Sequence, residues 1–155
     1  MAFKNFMGRR SKSQKEELKP TLVSDYMTKK LITFKPEQPM SEVMEVLIKN
    51  KISGGPVVDS RNQLLGIISE GDCIKHVSES RYHNMPDGLD TVEKHMKTNV
   101  ETIDGNMNIF DAAKQFLESK HRRFPILENG KLVGQISQKD ILIAALKQKG
   151  HNWKK

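Results

Sequence analysis

The chain has 155 residues, 36% hydrophobic and 29% charged, with a mean hydropathy of -0.60, a formal charge of +7 and one cysteine. A chain of that length buries about two-thirds of its unfolded surface, so it folds without disulfides or a structural metal. One cysteine excludes an internal bridge. No run of about 20 apolar residues occurs, and Met1 to Arg10 lack an apolar core, which excludes a spanning helix and a signal peptide and leaves a cytoplasmic protein as the expectation.

The first segment, 1–20, is polar with six basic and two acidic residues, and reads as a flexible basic arm. A basic tail closes the chain over 147–155, while 21–145 carries 16 basic against 17 acidic side chains. A nucleic-acid reader keeps its cations on the folded body, where phosphates are met at fixed positions, so nucleic acid is an unfavoured partner.

From residue 21 the chain repeats itself. Val23-Ser-Asp-Tyr-Met27 aligns with Val92-Glu-Lys-His-Met96, and Pro56-Val-Val-Asp59 with Pro125-Ile-Leu-Glu128, at an offset of 69. The offset then becomes 68, placing Gly66–Asp72 on Gly134–Asp140. The slip falls in a turn, where Ser60-Arg-Asn-Gln63 is shortened to Asn129-Gly130, a two-residue hairpin signal. The expected organisation is a first repeat over 21–80, a linker over 81–91 and a second repeat over 92–146.

Each repeat starts with a short strand, near Ile32 in the first. A helix follows, its apolar stripe formed by Met40, Val43, Met44, Leu47 and Ile48, matched by Ile109, Ala112, Ala113, Phe116 and Leu117. Asn108 with Asp111 resembles a helix-start cap. Two β-rich runs read as a hairpin, and closing helices are predicted from about 69 to 78 and 137 to 147. The fold class is α+β, with two β-α-β-β-α repeats packed together because neither unit buries its own faces.

The motifs Val23–Thr28, Ile52-Ser-Gly-Gly-Pro-Val-Val-Asp59 and Gly66–Asp72, with Arg122-Arg-Phe-Pro-Ile-Leu127 and Gly134–Asp140 in the second copy, resemble a tandem pair of CBS domains, a Bateman module of the stand-alone bacterial type. The resemblance covers about 21–146. It implies pseudo-two-fold packing and clefts that accept adenosine-containing ligands such as AMP, ADP, ATP or S-adenosylmethionine. By the same resemblance, Ser69, Asp72, Ser137 and Asp140 contact the ribose, and Thr33 and Thr102 touch the base or phosphate.

The residues allow bland readings too. Ser69 and Ser137 can cap the closing helices with Asp72 and Asp140 in the first turn, and Thr33 and Thr102 can be ordinary β-branched strand residues. Gly66 and Gly134 permit close backbone approach to a ligand. Ile52, Gly54 and Pro56 offer apolar room for a base, whereas the aligned His121, Arg122 and Arg123 offer cations for phosphates or form a solvated strand edge.

No other chemistry stands out. The five histidines show no metal-ligand spacing, so no metal is expected, and Cys73 aligns with Ile141 as a small apolar residue. No nucleophile–base pair is visible, so the chain reads as a non-enzymatic sensor that needs no cofactor, with an adenine nucleotide as regulatory ligand. The resemblance implies a homodimer, and output passes through it or through an unidentified effector protein. The competing expectation is an interaction protein with vestigial clefts and basic tails that dock on nucleic acid or an acidic partner.

Overall fold

The computed structural model describes residues 21–83 and 90–150. The basic arm, most of the linker and the end of the basic tail lie outside the described residues. Five α-helices are described, after a 3-10 turn at Val23–Asp25: α1 (Met40–Asn50), α2 (Glu70–His83), α3 (Val92–His95), α4 (Ile109–Ser119) and α5 (Gln138–Gln148). The strands are β1 (Gly54–Val58), β2 (Leu64–Ser69), β3 (Ile103–Asp104), β4 (Arg123–Glu128) and β5 (Lys131–Ser137). This is the α+β duplication read from the sequence.

Both hairpins form. β1 pairs antiparallel with β2 and β4 with β5. Asn129 and Gly130 have φ of 52° and 77°, the left-handed pair that a tight primed turn requires. The longer first loop is held instead by the Asp59 carboxylate, which accepts from Arg61 N at 2.8 Å and Gln63 N at 2.9 Å. The expected opening strand near Ile32 does not form. Phe34 makes a single parallel bridge to Val57, whereas the second repeat extends the same contact into β3.

Two cores result. One gathers Phe34, Met40, Val43, Leu47, Val57, Ile68 and Cys73; the other gathers Ile103, Ile109, Ala112, Phe116, Phe124, Ile126, Ile136, Ile141 and Ala144. The short opening motifs are exchanged between them. Val23, fully buried, belongs to the second repeat's core, and Val92, fully buried, belongs to the first's. Val23 N donates to Met107 O and Val92 N to Gln38 O, both at 2.9 Å, so equivalent bonds fasten each motif to the opposite repeat. The exchanged segments also satisfy helix starts: Met40 N donates to Asp90 O at 3.1 Å and Ile109 N to Thr21 O at 2.9 Å. The repeats are therefore not self-contained, and the exchange buries the faces that one unit alone leaves open.

The apolar stripes are only partly used. Met40, Val43 and Leu47 enter the core with Ile109, Ala112 and Phe116, but Ile48 is 79% exposed and its equivalent Leu117 is 85% exposed. Ile74 and its equivalent Leu142 are exposed as well. The closing helices start at Glu70 and Gln138, with Ser69 and Ser137 just before them, and α2 runs to His83, beyond the predicted end.

Candidate functional site

The hairpins of the two repeats face each other across a cleft of about 220 Å³. Its first wall is Ser53, Gly54, Gly55, Pro56, Ile67 and Ser69; its second is Arg122, Arg123, Pro125 and Gln135. Ser53 and Arg123 also line a larger cavity of about 590 Å³ between α1 and α2, whose remaining wall includes Met44, Leu47, Ile52, Cys73 and Ile74. The two hollows therefore share a rim. The larger hollow is mainly apolar, with Lys51 and Glu70 at its edge, and the smaller carries two exposed guanidinium groups. An apolar space of this size suits a planar ring, and Arg at its edge suits a bidentate anion.

Of the residues singled out from the sequence, Ile52, Gly54, Pro56, Ser69, Arg122 and Arg123 come to these walls. The rest do not line them, nor a third hollow of about 410 Å³ at Glu101, Asp111 and Lys114. Asp72 and Asp140, 9% and 3% exposed, turn back on their own helix starts. Asp72 Oδ2 accepts from Ser69 N and Ser69 Oγ at 2.9 Å, and Asp140 Oδ2 accepts from Ser137 N at 2.9 Å and Ser137 Oγ at 3.0 Å. Ser69 Oγ and Ser137 Oγ accept in turn from the amides of Asp72 and Asp140. The Ser-x-x-Asp motifs thus make the capping arrangement in both repeats.

Gly66 and Gly134 make a close approach to the chain itself. A Cβ at Gly66 lies 2.6 Å from Lys97 O, and one at Gly134 lies 2.7 Å from Met27 Sδ and 2.9 Å from Thr28 O. Those are the exchanged segments, which run along β2 and β5 with no room for a side chain. His121 packs edge-on against Phe124, 5.3 Å between ring centroids, with Nε2 4.0 Å from the Glu101 carboxylate, and does not line either hollow. Thr33 is exposed and Thr102 half-buried, each just before the residue that pairs with its hairpin.

Cys73 lies in the wall of the larger cavity, and burial, reinforced by the Asp72 and Glu70 carboxylates, pushes its thiol pKa up. It is a neutral apolar wall residue, not an activated nucleophile.

A group missed by the sequence reading is His76, Asp90 and His95, whose ligand atoms lie within 4.8 Å of one another. His95 Nε2 is 2.7 Å from Asp90 Oδ1. Burial acts to raise the Asp90 pKa, but the His95 and His76 rings outweigh it and hold the carboxyl below its usual range. Spacing along the chain gives no sign of this group, because the linker and the exchange bring it together.

A family model described as CBS domain matches residues 23–79 and 92–147. The CBS domain-containing protein CBSX1 of Arabidopsis thaliana, a chloroplastic protein, is 33% identical over 82% of this chain, which spans 65% of that protein's length. Uncharacterized protein MJ1426 of Methanocaldococcus jannaschii is 27% identical, over 81% of this chain and 91% of its own. Among solved structures, CBSX2 in complex with AMP superposes with a TM-score of 0.70 at 29% identity, covering 83% of this chain and 98% of that one. The CBS domain pair of MJ0100, in complex with 5′-methylthioadenosine and S-adenosyl-L-methionine, has a TM-score of 0.66 at 25% identity, covering 86% and 100%. With both repeats matched and the exchanged architecture in place, the chain belongs to the CBS domain family, as a tandem pair.

Proposed function

We propose that this chain is a non-enzymatic regulatory module that binds an adenosine-containing nucleotide in the hollow shared by its two repeats. The observation that carries this reading is the shared rim at Ser53 and Arg123, where apolar space meets paired guanidinium groups. The base occupies the apolar side by Ile52, Met44 and Ile74. Ser69 and Ser53 offer hydroxyls toward the sugar, and Arg122 and Arg123 meet the phosphates. The relatives crystallised with AMP and with S-adenosyl-L-methionine support this chemical class. Asp72, Ser137 and Asp140 cap their own helix starts as Ser69 does, through Asp Oδ2, and capping of that kind is compatible with a ribose contact by the same motifs.

Output follows from self-association. Ile48 with Leu117, and Ile74 with Leu142, are exposed at equivalent positions of the two repeats, so a second copy meets a face that already has approximate two-fold symmetry. A nucleotide that binds one dimer geometry more tightly than another shifts their populations, and an effector reads the shift.

Titration calorimetry of the intact chain with AMP, ADP, ATP, S-adenosylmethionine and a cyclic dinucleotide tests the ligand class. Saturable heat with at least one of the four adenosine compounds is expected. Flat traces for all four contradict the proposal.

A further inference from the structure

We propose that His76, Asp90 and His95 form a site for one divalent transition-metal ion of the zinc class. Two imidazole nitrogens and one carboxylate are the donor set such an ion takes, with a fourth position left to water. The donors come from three places: His76 from the middle of α2, Asp90 from the chain entering the second repeat, and His95 from the end of α3. Their side chains are 13%, 12% and 12% exposed, buried enough to limit competition from water yet open to entry.

The contacts within the group bring both imidazole rings onto one carboxylate. His76 Nδ1 is buried and lies 2.5 Å from Asp90 Oδ2, and His95 Nε2 lies 2.7 Å from Asp90 Oδ1. The His76 and His95 rings meet at 70° with centroids 5.1 Å apart, so they do not stack. Ligand atoms around a tetrahedral zinc ion are about 3.3 Å apart, given metal–ligand distances of about 2.0–2.1 Å. The rings meet different oxygens of Asp90, Oδ2 at 2.5 Å and Oδ1 at 2.7 Å, and the three ligand atoms lie within 4.8 Å of one another, so small side-chain rotations bring them to the spacing an ion requires.

The opposite half of the molecule shows that the fold does not require these residues. At the equivalent positions stand Ala144 for His76, Thr21 for Asp90 and Tyr26 for His95, and there Gln148 Nε2 donates to Thr21 Oγ1 while Lys147 lies over the Tyr26 ring. The same junction is built twice, once without any metal ligand.

The ion fastens the exchanged segment to the first repeat. Asp90 O accepts from Met40 N at the start of α1, and Lys97, two residues beyond His95, pairs with Ile67 of β2, which lines the cleft. Metal occupancy thereby stiffens one wall of the cleft, although the site itself does not depend on what the cleft binds.

The full-length chain, free of any affinity tag and stripped with chelator, is titrated with Zn2+, Co2+ and Mg2+ by calorimetry. His76→Ala and His95→Tyr are tested alongside; both place residues that the opposite half already accommodates, so folding is expected to survive, with circular dichroism as the check. One Zn2+ per chain, a visible Co2+ spectrum of a four-coordinate site, no Mg2+ heat, and Zn2+ affinity at least tenfold weaker in each variant are the expected results. Absence of stoichiometric Zn2+ binding by the wild type, or unchanged Zn2+ affinity in either folded variant, overturns the site.

Discussion

Ser53 of the first repeat and Arg123 of the second stand together on the rim where the 590 Å³ cavity and the 220 Å³ cleft meet. Neither repeat makes that rim alone. A ligand lying across it touches both halves, so its binding free energy depends on how the halves are arranged, which is what a sensor requires.

The two capping serines separate stability from binding. Ser69→Ala and Ser137→Ala each remove a helix-start acceptor and are expected to cost about 1 kcal/mol of stability, read from urea unfolding. Only Ser69 lines the cleft, so only its variant is expected to lose nucleotide affinity as well. Equal affinity losses in both would assign the ribose role to both motifs.

Glycine substitutions report on the exchange. Gly66→Ala places a Cβ 2.6 Å from the Lys97 carbonyl, an overpacking expected to cost about 1–3 kcal/mol. Gly71→Ala, whose nearest neighbour is Ser69 Oγ at 3.7 Å within the first turn of α2, is expected to be neutral or to stabilise by up to about 1 kcal/mol. Thermal unfolding of the two variants compares them directly; a harmless Gly66→Ala contradicts the close approach of the exchanged segment.

Much of this architecture is legible in the sequence, and the reasons it stops are physical. The duplication, the stripe of Met40, Val43 and Leu47, and the Asn129–Gly130 turn follow from local periodicity and backbone preference. The exchange does not, because Val23 and Val92 head equivalent motifs and each suits either core. Periodicity marks a helix face but not its far edge, so Ile48 and Leu117 look like core residues until the packing shows them exposed. The Gly66 and Gly134 motifs signal a close approach without saying that the chain itself fills it. Asp72 and Asp140 carry the capping chemistry that their position after Ser69 and Ser137 allows, and no spacing rule distinguishes that from a ribose contact.

Cys73 is expected to react slowly with a disulfide reagent at pH 8. Its raised pKa, set first by burial and then by Asp72 and Glu70, keeps the thiol protonated there, and the thiolate is the attacking species. The rate is expected to rise with pH and to fall further when nucleotide covers the cavity wall. Reaction as fast as that of the urea-unfolded chain contradicts the neutral wall role.

Leu117→Asp and Ile48→Asp place a charge on the exposed helix positions without touching either core. Sedimentation velocity is expected to show a wild-type dimer and a shift toward monomer in each variant, with unfolding midpoints little changed at protomer concentrations where the wild type is already dissociated. A monomeric wild type, or variants that remain fully dimeric, places the dimer contact elsewhere or removes it.

The most direct test of the shared nucleotide site is the ratio of AMP affinities in wild type and Arg123→Ala, measured by calorimetry beside adenosine as the uncharged control. Loss of a charge-assisted phosphate contact of about 1.5–3 kcal/mol predicts AMP binding weaker by about 10- to 150-fold, with adenosine nearly unaffected. AMP affinity that survives the substitution intact contradicts the account, because the one second-repeat residue shared by both hollows then contributes nothing to the ligand.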